Sequence, residues 1–426
     1  MNDWNGSDVG MPWSTPESVG MCGLDRLDNW MASLISDHGL PHAATLVARK
    51  GKVVYYKGTG EQSPEVPLRS DSIYRIYSMT KPITSLALMM LVEEGRVLLD
   101  QPVHLFLGKA WKKQNMNVLA GFGKELEPCT RTITIKMLLL HTSGLTYGFD
   151  GVEKLHPVDG LYQESNRKHI KLNESSEEFV NRLASLPLCF QPGTKWNYSY
   201  SIDVIGRIVE VVSKQSLGDF FHKRILGPLK MNETSFRIKD DLRDRFTNIH
   251  FQKPDGAIID VTHLQMKNNE YLEFKHLESG GGGLLSTMKD YCRFCHFLLN
   301  GGELEGVRLL GRHTMNFATT NHLLDNQDCR QLSSVNSMQM SSPGIGFGLG
   351  FAVVMDPLQS STMNSKGTFY WSGAASTLFW IDPVEELVVL FHTQVLAIDD
   401  LKLPLRNFVN NIVYGSIADG EPYCRL

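Results

Sequence analysis

The chain has 426 residues, 42% of them hydrophobic and 21% charged, with a formal net charge of −4. That size and balance describe an ordinary folded protein with a large core, as one big unit or two intermingled ones. The mild acidity argues against a polyanion partner such as nucleic acid, and no apolar run approaches the roughly 20 residues that span a bilayer.

The opening Met1-Asn2-Asp3-Trp4-Asn5-Gly6 lacks a basic stretch followed by an apolar one, so no signal peptide is expected. The seven cysteines (Cys22, Cys129, Cys189, Cys292, Cys295, Cys329 and Cys424) form a dilute, unpaired pattern, which fits a reducing, cytoplasmic compartment. Cys292 and Cys295 make a C-x-x-C without a second ligand pair at zinc spacing. In their amphipathic surroundings they read as a helix face rather than a metal or redox site. Four N-x-[ST] sequons, at Asn5, Asn173, Asn197 and Asn232, read as accidental without a secretion signal.

In chain order, residues 24–38 carry Leu24, Leu27, Met31, Leu34 and Ile35 at helical spacing. Strand-like runs at 43–48 and 53–56 flank Lys50-Gly51-Lys52, which predicts a hairpin. A short β-type run, 72–77, then leads into Ser78-Met79-Thr80-Lys81. These four open an apolar helix, 83–92, that ends at Gly95, with Pro82 in its first turn. Residues three apart share a helix face, so the Lys81 ammonium lies beside the Ser78 hydroxyl. A serine becomes a nucleophile when a neighbouring group takes its proton, and the helix start favours negative charge there. The same residues also describe an ordinary helix start capped by a serine, and S-x-x-K arises often by chance.

Residues 83–225 read mostly as helix and loop. A helix over 134–140 stops at His141-Thr142-Ser143-Gly144-Leu145. The polar stretch 146–175, with Tyr147, Phe149 and Tyr162, reads as a long loop overhanging a site. Helices are expected over 176–186 and 202–216, the second after Gln191-Pro192-Gly193-Thr194-Lys195-Trp196-Asn197-Tyr198-Ser199-Tyr200. The glycines at 280–283 fit no phosphate-loop pattern, so close backbone packing explains them better. Three strand-like runs follow in 347–355 and 369–391, with a turn at 382–386, and 401–417 closes the chain as a helix. With strands at both ends and helices between, residues 1–80 and 285–426 are expected to build an α/β sheet domain. Residues 81–284 form a mostly helical insert.

Ser78-x-x-Lys81, Tyr198-Ser199-Tyr200 and Trp371-Ser372-Gly373 occur in that order, with the His141–Leu145 and Gly280–Thr287 stretches between them. This set resembles the serine β-lactamase and penicillin-binding-protein superfamily over nearly the whole chain, about residues 24–413. It is most similar to the class C β-lactamase-like branch, with its family VIII carboxylesterases and related acyltransferases. The resemblance implies a β-lactamase-like α/β (α+β) fold, an antiparallel sheet flanked by helices. It implies Ser78 as the acylated nucleophile, Lys81 as the lysine that eases its deprotonation, and Tyr198 as general base or proton relay. A tyrosine near pKa 10 is an anion at neutral pH only beside a cation, a field Lys81 can supply. The resemblance further implies an oxyanion hole at the backbone N–H groups of Ser78 and Ala374, with Gly373, Trp371 and Tyr200 against substrate.

Two departures narrow the substrate. The third motif of β-lactamases begins with lysine, here Trp371, and the second ends in asparagine, here Tyr200. Both changes remove polar anchors and add aromatic surface. The resulting reading is a serine esterase acting on a small-molecule ester, with no cofactor, metal or nucleotide. Its alternatives are an acyltransferase, a β-lactamase or peptidase, and a silent scaffold. Each residue also has a plainer reading: Tyr198 as core, Trp371 as sheet packing, Tyr200 as structural, His141 as a satisfied structural histidine and Lys195 as a solvated charge.

Overall fold

The computed structural model describes residues 4, 10–119, 125–148, 156–169, 174–266, 271, 277–333, 342–398 and 402–419. Of the positions singled out above, Met1, Asn2, Asp3, Asn5, Gly6, Phe149, Asn173, Leu401 and Cys424 lie outside the described residues.

The amphipathic stretch near the start forms α1 (Arg26–Ser36), which buries Leu27, Met31 and Leu34. Strands β1 (His42–Arg49) and β2 (Lys52–Ser63) make the expected hairpin. Lys50 and Gly51 at its turn both have positive φ, 51° and 74°, the combination whose twist suits two paired strands. A short β3 (Val66–Pro67) extends β2.

Helices fill the middle of the chain: α2 (Thr80–Glu93), α3 (Ile135–Leu139), α4 (Pro157–His169), α5 (Ser176–Ala184), α6 (Ser201–Ser213) and α7 (Met288–Leu299). Helix α4 corrects the reading of 146–175 as one long loop. Pro157 opens it, and Asp159 reaches back to accept from His156 N at 3.1 Å, a start signal masked by the polar composition.

Strands β4 (Ile345–Phe347), β5 (Ala352–Val354), β6 (Phe369–Ser372), β7 (Leu378–Asp382) and β8 (Leu387–His392) follow, then α8 (Leu405–Tyr414). Five strands stand where three runs are expected, because tight turns divide the apolar stretches. One of these is closed by Gly373 N donating to Thr377 O at 2.8 Å.

All eight strands join one antiparallel sheet in the order β4-β5-β6-β7-β8-β1-β2-β3. The two ends of the chain meet at β1 and β8, where Val47 faces Val389 and Leu46 faces Leu390. Side chains alternate across the sheet. Ala43, Val47, Val389 and Phe391 pack with α1 and α8. Ala44, Leu46, Val388 and Leu390 enter the larger core with α2, α6 and α7. Helix α2 lies so deep that every residue from Thr80 to Leu91 is buried, which is why its sequence is apolar all round rather than on one stripe.

Cys129, Cys189, Cys292, Cys295 and Cys329 are free and buried. Cys22 is disulfide-bonded, which corrects the reading of a wholly unpaired set. No helix among the described residues is long and apolar enough to cross a membrane.

Candidate active site

Ser78 lies in a 3₁₀ turn (Tyr77–Met79) that runs directly into α2. Three contacts fix that turn. Tyr74–Arg75 pairs with Leu285–Ser286, Ile76 N donates to Leu284 O at 3.2 Å, and Tyr291 Oη of α7 donates to Met79 O at 2.9 Å. Tyr77, just before Ser78, holds a left-handed φ of 41°. Such a conformation costs a non-glycine residue about 1–3 kcal/mol and persists where its surroundings over-determine it.

Lys81 is 1% exposed. Its Nζ donates to Ser78 Oγ at 3.1 Å and to Gly281 O at 2.5 Å, and sits 4.7 Å from the Tyr198 ring centroid. Burial lowers its pKa to about 7, against an opposing pull from Asp203. Cut off from water, the ammonium sheds its proton near neutrality. The glycine run threads between α2 and α6. Thr84 Oγ1 donates to Gly280 O at 2.7 Å, and a Cβ on Gly280 would stand 3.1 Å from Ile202 O. Close packing is thus the reason for these glycines.

Tyr198 arrives on a segment laced to the His141–Leu145 stretch. Gly193 N donates to Thr142 O at 2.7 Å and Asn197 N to His141 O at 2.9 Å. Ser143, Ser201 and Ser199 form a buried hydroxyl chain with 2.8 Å links, ending at His141 Nδ1, 3.1 Å from Ser199 Oγ. The two sequence motifs are one piece of structure. His141 is fully buried against Tyr198, Phe347 and Trp196. Burial first, then the Lys81 charge, hold its pKa well below the usual value. It stays neutral and structural, and Lys195 is exposed.

The Tyr198 hydroxyl collects several partners. Trp371 Nε1 donates to it at 3.4 Å, and it hydrogen-bonds the Tyr147 and Ser78 hydroxyls. Burial outweighs these donors and pushes its pKa above the usual tyrosine value. Of the two roles expected for Tyr198, this favours proton relay over a phenolate supported by the Lys81 field. Both groups are buried, burial disfavours both charges, and the lysine gives up its proton first.

Trp371, at the end of β6, packs its ring on Tyr198 and Phe347 with centroids at 5.3 and 5.4 Å. Its N–H is therefore turned on Tyr198. Two residues on, a Cβ at Gly373 would lie 2.5 Å from Ile76 O, so only glycine lets this strand end press against the turn that carries Ser78. Ala374 follows, exposed. Among the described residues, neither the Ser78 nor the Ala374 N–H has an acceptor within the fold. Tyr200 joins less directly. Its ring packs on Tyr147 at 4.3 Å and on Phe179 at 5.2 Å, and its hydroxyl accepts from Asn166 Nδ2 at 3.1 Å. Among the described residues, no group of three histidines, cysteines or acids is placed to hold a metal ion.

The Beta-lactamase family model matches residues 27–403. The chain belongs to this family. An uncharacterized protein of Mycobacterium tuberculosis is 32% identical to it over 389 residues, spanning 88% of this chain and 92% of that one. Esterase EstB of Burkholderia gladioli is 28% identical over 404 residues, spanning 91% and 94%. Among solved structures, the fold is shared with EstCE1, a hydrolase with promiscuous acyltransferase activity. The TM-score is 0.75 at 22% identity, with 94% of this chain and 99% of that one covered. The antiparallel sheet flanked by helices is the fold of this family.

The structure brings Ser78, Lys81, Tyr198 and Trp371 into one contact set and sets Gly373 beside it. Two further members escape sequence reasoning. Tyr147 lies in the stretch read as loop, yet its ring packs on both Tyr198 and Tyr200, at 5.1 and 4.3 Å. Asp203, in the first turn of α6, is 6% exposed and accepts from Gly281 N at 3.1 Å and Ser279 Oγ at 2.5 Å. An acid in a helix's first turn ordinarily marks a solvated N-terminus, so nothing local sets it apart.

Proposed function

We propose that the protein is a serine hydrolase that cleaves carboxylic esters through an acyl-enzyme on Ser78. The observation that carries this reading is the 3.1 Å contact between Ser78 Oγ and a buried Lys81 whose pKa falls to about 7. A neutral amine at that distance can take the serine proton as Oγ attacks the ester carbonyl. Tyr198, a neutral phenol hydrogen-bonded to Ser78 with Lys81 over its ring, passes protons between Ser78 and the leaving alkoxide. The free N–H groups of Ser78 and Ala374 receive the carbonyl oxygen as it gains charge. The leaving alcohol departs with one proton, and water, activated by the same pair, then hydrolyses the acyl-enzyme to acid and free Ser78. Acyl transfer to an alcohol in place of water is the second reading, favoured by the likeness to EstCE1.

The substrate class rests on the third motif. With Trp371 where β-lactamases carry lysine, a substrate carboxylate loses a charge-assisted hydrogen bond, roughly 1.5–3 kcal/mol or about 10–150-fold. An aromatic wall of Trp371, Phe347 and Tyr147 favours uncharged acyl groups at about 25 cal/mol per Å² of apolar contact. The division into a sheet unit (1–80 with 285–426) and a helical insert (81–284) belongs to the same proposal, since it sets the site where the insert begins. Five free thiols fit a cytoplasmic placement, and the Cys22 disulfide is the feature that points away from it. The test is kcat/KM for p-nitrophenyl butyrate beside nitrocefin, with and without added alcohols. The butyrate should be preferred by well over tenfold; equal values or a preference for nitrocefin would replace the esterase reading with a β-lactamase one.

A further inference from the structure

Asp203 is a buried acid that the steps above leave unused. It and Lys81 interact electrostatically, yet among the described residues no ion pair joins them within 4 Å. What lies between them is Gly281. Its carbonyl accepts from Lys81 Nζ at 2.5 Å, and its N–H donates to Asp203 Oδ1 at 3.1 Å. A Cβ at position 281 would stand 2.1 Å from Asp203 Oδ2, so no other residue fits this bridge without moving the carboxylate. Ser279 Oγ gives the carboxylate its second donor.

The spacing has a chemical consequence. A lysine in direct contact with a carboxylate is held as ammonium and is no base. A lysine with no nearby charge cannot keep the proton it takes in a dry site. One intervening residue lies between these limits. We infer that Asp203 is the counter-charge of the site, a positioning residue that acts through Gly281 to hold Lys81 on Ser78 and to support the ammonium formed when Lys81 takes the Ser78 proton. The inference rests on the esterase reading above.

The groups around this pair are Ser78 and Lys81 from the α2 end, Tyr147 and His141 from the loop after α3, Tyr198 and Tyr200 from the approach to α6, and Asp203 itself. The neighbouring tyrosines are pushed up and His141 is held down by burial. Lys81, brought to about 7 by burial, is therefore the member of this set whose titration sets the limb, while burial raises Asp203 and the Lys81 charge opposes that rise.

The experiment measures the rate of labelling by a fluorophosphonate from pH 5 to 9. In that reaction Ser78 oxygen bonds to phosphorus, fluoride leaves with its electron pair, and the serine proton passes to Lys81 and then to solvent. Asp203→Asn keeps an acceptor for Gly281 N and Ser279 but removes the charge. An opposite charge a few ångströms away moves a pKa by about one unit or more. The acid limb should thus fall by about one pH unit, and the plateau rate should drop up to about tenfold. Asp203→Glu should restore part of both. A merely structural role would lower the rate without moving the limb. Should Asp203→Asn not fold, Asp203→Ser, which also removes the charge, should move the limb in the same direction. A limb within 0.2 units of wild type in the folded variants overturns the inference. No labelling of wild-type Ser78 overturns instead the esterase reading beneath it.

Discussion

Substitution of Lys81 by arginine separates two ways in which a lysine can serve a serine. If Lys81 takes the proton, it must be neutral; if it acts only as a cation, it must be charged. Burial brings its pKa to about 7, so at pH 6 about one molecule in eleven carries the neutral amine, and at pH 5 about one in a hundred. The acylation rate should therefore rise tenfold per pH unit up to about pH 7 and then level off. Arginine keeps the charge and cannot give up its proton. Lys81→Arg should lose about 10²–10⁴-fold across the whole range, the size of a lost positioned base, and should show no acid limb at 7.

The same shift predicts a stability effect. Between about pH 7 and 10.5 the unfolded lysine holds a proton that the folded one has lost, so stability rises with pH there. The penalty is complete below pH 7, where it amounts to roughly 5 kcal/mol at most, from 1.36 kcal/mol per unit. Lys81→Met should accordingly gain most over wild type at pH 6, and the gap in urea midpoints should close toward pH 10. A wild-type rate that falls as pH rises through 7, with activity kept in Lys81→Arg, would show that the cation is what matters and that the proton assignment is reversed.

Other outcomes follow from the contacts of Tyr198. Lys81→Ala and Tyr198→Phe should each lose about 10²–10⁴-fold in kcat/KM, and the double variant should lose little more than the worse single one, since both disable one proton path; fully additive losses would separate their roles. Tyr147→Phe withdraws one donor from the Tyr198 hydroxyl and should lower kcat about fivefold with KM nearly unchanged, from a hydrogen bond of about 1 kcal/mol; a change in KM alone would make Tyr147 a substrate contact. Trp371→Phe keeps one aromatic ring of the wall while removing the indole N–H and part of its surface, so it should cost less ester turnover than Trp371→Ala, with Ser78 still labelled in both; equal losses would mean that the wall is not what binds the acyl group.

The parts of the site carried by sequential spacing are legible without coordinates. Ser78 and Lys81 sit one helical turn apart, so their contact is local. The Lys50-Gly51 hairpin and the apolar α2 are legible for the same reason. Tyr198 and Trp371 are readable as motif members, but their mutual hydrogen bond joins residues 173 positions apart and exists only once β6 lies beside the α6 approach. Helix α4 hides because its residues are polar and its start signal, His156 with Asp159, lies inside a long polar stretch. Asp203 hides because its meaning depends on Gly281, 78 residues away. The depth of burial that raises the Tyr198 pKa and disfavours a phenolate there is not disclosed by residue order.

The covalent intermediate on Ser78 is the claim on which the rest depends. Acid-quenched samples taken during p-nitrophenyl butyrate turnover, digested and read by mass spectrometry, address it directly. A butyryl group should map to the peptide that carries Ser78 and be absent from a Ser78→Ala protein whose circular dichroism matches wild type. A butyryl group on another residue, or substantial turnover surviving in Ser78→Ala, would contradict the account.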